Sequence, residues 1–132
     1  MALSSDFAGC RSPGGCVAGS LLRQGDWSGA HQAAQELDTP EGSYWHGIIH
    51  RLEPDPANAA YWFRRAGEHP VFASLYTEAG ARLGMKNRWD PFRWIDYWES
   101  ARAEPDSEAW RTAQEVHEIE CRLLFEYCAR PQ

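Results

Sequence analysis

The sequence predicts an all-α fold, and three observations carry that prediction. A capping residue is followed directly by proline at Thr39-Pro40, Asp55-Pro56 and Asp90-Pro91. The cap's side-chain oxygen accepts a hydrogen bond from an orphan backbone N–H of the first turn, and proline there gives up no helical bond. No stretch alternates apolar and polar residues with β-branched enrichment, and valine is rare, so strands are disfavoured. Finally, seven tryptophans, five tyrosines and five phenylalanines in 132 residues carry more apolar surface than a disordered chain can leave in water.

Residues 1–18, MALSSDFAGCRSPGGCVA, are rich in Gly, Ser and Pro without a period and predict a flexible arm. A single helical domain is expected over 19–132. Its helices are predicted near 19–24, 27–37, 41–52, 56–67, 71–83, 91–102 and 107–129. Asp26 and Asp106 offer further caps, and His69-Pro70 marks a break. Connections of a few residues fold neighbouring helices back on each other as antiparallel hairpins in a compact bundle. Asp26-x-x-x-Ala30 recurs as Asp55-x-x-x-Ala59, a faint internal repeat.

The formal charge is −6, from 13 Lys+Arg against 19 Asp+Glu. Nucleic acid is therefore not expected as a partner, since phosphate binding needs a basic face. No apolar run reaches the roughly 20 residues of a bilayer crossing, so no membrane span is expected. The first twenty residues lack the basic region and apolar core of a secretory signal, which predicts a cytoplasmic chain. The four cysteines lack CxxC spacing. Cys121 and Cys128 read as small buried hydrophobes, while Cys10 and Cys16 fall in the arm and suggest no role.

Residues 45–67, WHGIIHRLEPDPANAAYWFRRAG, carry Gly47, then Asp55, then Ala59-x-x-Trp62-Phe63-x-Arg65-Ala66. In this they resemble one degenerate unit of the Sel-one type of tetratricopeptide-like repeat, with His50 where that pattern has an aromatic and a shorter loop lacking Gly-x-Gly. The stretch 43–72 is also similar to a group of small uncharacterised helical proteins. The resemblance implies a helical hairpin and an interaction scaffold, and it implies no activity. Within it, Trp62 and Phe63 are expected in the core, with Ala59 and Ala66 as close-contact positions.

At 100° per residue, Tyr44, Trp45, Ile48, Ile49 and Leu52 form the apolar face of the helix at 41–52, and His46 and His50 lie opposite. These two histidines are one turn apart and can reach one metal ion. They can equally line a second helix contact. A zinc-protease reading fails because Gly47 stands where HExxH requires Glu. On the next helix Arg65 lies beside Trp62, suited to clamp a carboxylate or phosphate or to make an ordinary ion pair. The aromatic run Trp89, Phe92, Trp94, Tyr97 and Trp98 reads as packing.

The last helix is the most informative. Arg111, Glu115, Glu118, Arg122 and Glu126 define its polar side, and Ala113, Val116, Leu123, Leu124 and Tyr127 its core side, with Glu120 at the centre of the latter. His117 and Cys121 stand on its shoulder. A carboxylate leaves water only with a partner, so Glu120 should pair with Arg51 or Arg65, or with His46 or His50. Two functions remain open. One is a non-catalytic interaction or ligand-binding module without a cofactor, taking a protein or small molecule, with Arg51, Arg65 and Glu120 as candidate binding residues. The other is a small metal-binding protein or enzyme whose pocket joins His46 and His50 to Glu120, with His117 or Cys121 as a further ligand for a divalent metal such as zinc.

Overall fold

In a computed structural model, which describes residues 7–132, the chain is all-helical. Seven α-helices follow one another among the described residues: α1 Pro13–Arg23, α2 Trp27–Gln35, α3 Pro40–Leu52, α4 Pro56–Ala66, α5 Val71–Ala79, α6 Pro91–Arg102 and α7 Glu108–Ala129. A 3-10 turn, Gly80–Leu83, extends α5 and ends at Gly84, whose φ of 72° is left-handed. The three cap-proline starts hold because the caps work as expected, whereas α7 is capped by Ser107, which accepts from Trp110 N at 3.0 Å, and not by Asp106. Thr39 accepts from Gly42 N at 3.2 Å, Asp55 from Asn58 N at 3.3 Å, and Asp90 from Phe92 N and Arg93 N at 2.9 and 3.2 Å.

The first boundary is corrected. α1 begins at Pro13, not near 19, and Cys16 and Ala18 are fully buried. Ser12 accepts from Gly15 N at 3.2 Å, so Ser12-Pro13 is a fourth cap-proline start. The backbone ahead of it is tied to the end of α7: Arg11 N donates to Arg130 O at 2.6 Å, Ser12 N to Cys128 O at 2.9 Å, and Gln132 N to Gly9 O at 3.1 Å. Of the expected arm, residues 1–6 lie outside the described residues, and residues 7–18 pack on the bundle.

Helix α3 occupies the centre. Every residue from Gly42 to Arg51 is buried, because α1, α2 and α4 pack around it and side chains of α6 and α7 reach it from the remaining side. Such enclosure needs small residues at the closest approaches. A Cβ at Gly47 would lie 2.8 Å from the Phe63 ring of α4. One at Gly19 of α1 would lie 2.8 Å from the Trp45 indole.

Phe63, Ala59 and Ala66 are core residues as expected, whereas Trp62 is not. Phe63 points at the gap left by Gly47, and the adjacent position turns Trp62 to the margin, half-buried. There its ring stacks on His46 with centroids 3.7 Å apart and planes 11° from parallel. On α6, Trp94, Ile95, Trp98 and Ala101 are buried and Phe92 is exposed, so the aromatic run is mainly packing.

The Gly47 contact gives a test with a definite sign. Glycine to alanine inside a helix ordinarily gains about 1 kcal/mol, but here the new methyl must displace an aromatic ring, and overpacking costs typically about 1–3 kcal/mol. Gly47→Ala should therefore lower the urea midpoint rather than raise it. A raised midpoint would show that the α3–α4 contact has room for the methyl.

Candidate functional site

Two polar clusters flank α3, one on each of two faces. The first forms where Tyr44 and Arg51, seven residues apart and hence on one side of the helix, meet α6 and α7. Glu120 exposes no surface, and neither does Arg51. Arg51 Nη2 donates to Glu120 Oε1 at 2.6 Å, the Trp94 indole N–H donates to the same oxygen at 2.9 Å, and the Tyr44 hydroxyl donates to Oε2 at 2.9 Å. Three donors thus meet a carboxylate that water cannot reach, which offsets its desolvation. Arg51 also lies over the Trp94 and Trp98 rings, 4.7 and 5.5 Å from their centroids. Those π faces compensate the guanidinium where its Nε and Nη1 find no hydrogen-bond acceptor.

The same guanidinium fixes the state of His117. Arg51 Nη2 stands 3.2 Å from His117 Nδ1. Arginine can only donate, so Nδ1 accepts, and the neutral ring carries its proton on Nε2. Burial, and then the Arg51 charge, push the His117 pKa down to about 3. Cys121 Sγ lies 3.7 Å from His117 Nε2. Burial first, and then the Glu120 charge, push the Cys121 thiol up, and the Tyr44 hydroxyl goes the same way for the same two reasons. A reactive cysteine needs its thiolate. Both partners of this pair are therefore held in their neutral forms.

The second cluster lies on the face of α3 toward α2 and α4. His46 and His50 are joined by His31 of α2, and one ring nitrogen from each lies within 4.8 Å of the others. His46 Nε2 and His31 Nε2 are 2.9 Å apart. The His46 and His50 rings stack at 5.0 Å and 16°, and His31 stands edge-on to both at 86°. Burial, with the neighbouring imidazoles second, pushes His46 down to about 4, and burial also lowers His50. Glu53 Oε1 is 3.3 Å from His50 Nδ1.

The pooled pocket expected from His46, His50, Glu120 and His117 does not form. Among the described residues, the set of three or more potential ligand side chains that converges is His31, His46 and His50. His117 belongs instead to the Arg51 network, because it rides on α7 and faces the other side of α3. Arg65 joins neither cluster. It is half-exposed, 3.7 Å from the exposed Asp38 and 5.5 Å from the Trp62 centroid, an ordinary surface pair that solvent screens. His31 was not expected in any constellation, and neither was His69. His69 is buried, its Nε2 2.8 Å from Glu41 Oε2, and that contact holds the Glu41 carboxyl below its usual range.

A groove of about 720 Å³ runs between α1 and α7. Leu22, Trp45, Ile119 and Phe125 make its apolar wall, Arg23, Glu118, Arg122 and Glu126 its charged rim, and His117 and Cys121 line it as well. Comparison of the chain with family models, curated proteins and solved structures finds no match.

Two outcomes follow from the Arg51 network. Glu120→Gln should destabilise the protein by about 3–5 kcal/mol in denaturant unfolding, because it leaves the Arg51 charge buried without its counterion. Combining it with Arg51→Met should recover part of that loss, whereas additive losses would mean that the two side chains do not couple. The pH dependence has a fixed sign. A histidine whose folded pKa is depressed contributes full stability above its unfolded value of 6.5 and loses it as the pH falls toward about 3. His117→Gln, which keeps an acceptor for Arg51, should therefore flatten the acid-side fall in unfolding free energy. The reduction should approach one proton, about 1.4 kcal/mol per pH unit, between about pH 6 and about pH 4. An unchanged slope would place His117 in water.

Proposed function

We propose that this chain is a non-catalytic binding module, a helical-hairpin scaffold that takes a small amphipathic molecule in the groove between α1 and α7. The observation that carries this reading is the groove itself. Its volume falls in the range of small-molecule sites, and one apolar wall faces a few polar groups. Leu22, Ile119 and Phe125 suit an aromatic or aliphatic body, and the Nε2 proton of His117 suits a single acceptor on the ligand. Arg51 holds that tautomer in place, so the donor is set before any ligand arrives.

The chemistry of the lining supports binding over turnover. Its titratable pair, His117 and Cys121, is held neutral, and the buried carboxylate behind it already has three donors. The resemblance of residues 45–67 to a Sel-one type repeat supports the same reading, since such repeats typically serve as interaction scaffolds.

The fluorophore 1-anilinonaphthalene-8-sulfonate is a suitable probe, with an aromatic body and a polar acceptor group. It should bind the folded protein saturably at one site per chain. Ile119→Arg, which places a charge on the apolar wall at a half-buried position, should weaken that binding at least about tenfold, the loss expected when an apolar contact is replaced by an unpaired charge. Its thermal midpoint should stay within a few degrees of the parent. Equal binding by Ile119→Arg, or no saturable binding by the parent, would count against the groove as the site.

A further inference from the structure

We infer that His31, His46 and His50 form a binding site for a divalent first-row transition metal, with zinc as the default occupant. The site is separate from the α1–α7 groove and does not depend on it. Three imidazoles offer nitrogens within 4.8 Å of one another, the nearest two 2.9 Å apart. Tetrahedral coordination with bonds of 2.0–2.1 Å places ligand nitrogens roughly 3.3 Å apart, inside that interval, so small ring rotations suffice to close the shell. A hydrogen bond between His31 and His46 satisfies only two of the three rings. A cation at the centre engages one nitrogen of each of the three.

The surroundings are those of a metal site rather than of a chance histidine contact. His46 and His50 project from successive turns of one rigid helix, and His31 comes from the neighbouring α2, so the ion would join two elements. The stack on Trp62 fixes the plane of the His46 ring. Beside His50, Glu53 Oε1 stands 3.3 Å from Nδ1, outside hydrogen-bond geometry, and supplies a negative charge next to the cluster. Asp55 is tied to the same turn through its N–H to His50 O at 2.9 Å and adds a second negative charge nearby. Imidazole nitrogens favour zinc, copper, nickel and cobalt over calcium and magnesium.

Access and an open position come from His31. It is half-buried and also lines an open hollow of about 370 Å³ with Ser28, Gln32, Gln35 and Glu36. Three protein ligands leave the fourth tetrahedral position of zinc on a water. The hollow beside His31 can supply it.

The test uses Co²⁺ as a spectroscopic probe on the full chain. Titration should give the visible d–d bands of a tetrahedral ion at one equivalent per chain, without the near-ultraviolet charge-transfer band of thiolate ligands. Zn²⁺ should abolish the bands by competition. His31→Ala removes a half-exposed ligand from a surface helix and should leave the fold intact by circular dichroism, while weakening Co²⁺ at least about tenfold, as expected when one of three ligands is lost. The parent's thermal midpoint should rise with Zn²⁺, and that of His31→Ala should rise much less. Absence of the bands in the parent, bands of equal affinity in His31→Ala, or a thiolate band would each overturn the assignment. A parent midpoint indifferent to Zn²⁺ would do the same and leave the three rings as a packing contact.

Discussion

The ion pair between Arg51 and Glu120 is the contact through which the central helix is committed to the last one. Neither charge reaches water, so each depends on the other, and the cost of separating them is borne by every element that seals them in. Trp94 of α6 donates to the carboxylate and lies under the guanidinium, and Tyr44 donates from one end of α3 while Arg51 donates from the other. Four side chains on three helices thereby share one geometry. A buried pair of this kind adds less net stability than its short distance suggests, because both ions had to be dehydrated. Its effect here is to fix rotation: turning α3 or α7 about its axis would strand a charge.

That constraint explains why α3 can be buried on all sides although it carries two histidines, a serine and an arginine. Arg51 and His46 turn to different neighbours. Arg51 faces α7, while His46 meets α2 on one side and the Trp62 ring of α4 on the other. Gly47 is what lets α4 come near enough for this. With any side chain there, Phe63 would be displaced and the stack of Trp62 on His46 would shift with it.

Much of this was legible in the sequence, for identifiable reasons. The cap-proline starts act through local backbone chemistry, so Thr39, Asp55 and Asp90 could be read without a tertiary contact. Glu120 was legible as buried because five charged residues fix the polar side of its helix, and Arg51 was one of two arginines named as its partner. Ser12-Pro13 carries the same start signal as the others, but the glycines after it argue for a loop, and only the backbone bonds to Cys128 and Arg130 resolve that conflict. His31 was not legible, because its significance depends on α2 lying across α3, and no periodicity within α2 encodes a neighbour. Trp62 misled for the opposite reason: a large aromatic in a packed pattern reads as core, whereas here it covers a histidine at the margin.

The pairing of position 51 with position 120 also bears on how the chain is made. Synthesis is vectorial, and Arg51 leaves the ribosome well before its counterion is even joined to the chain. Until then the guanidinium stays hydrated, and α3 cannot be desiccated on that face whatever α1, α2 and α4 have already built around the others. The N-terminal helices can associate early but cannot close. Final packing requires α7, because the same helix also brings the backbone that anchors Arg11 and Ser12. A nascent chain halted before Glu120 would expose an incomplete core, the state that chaperones and proteases recognise.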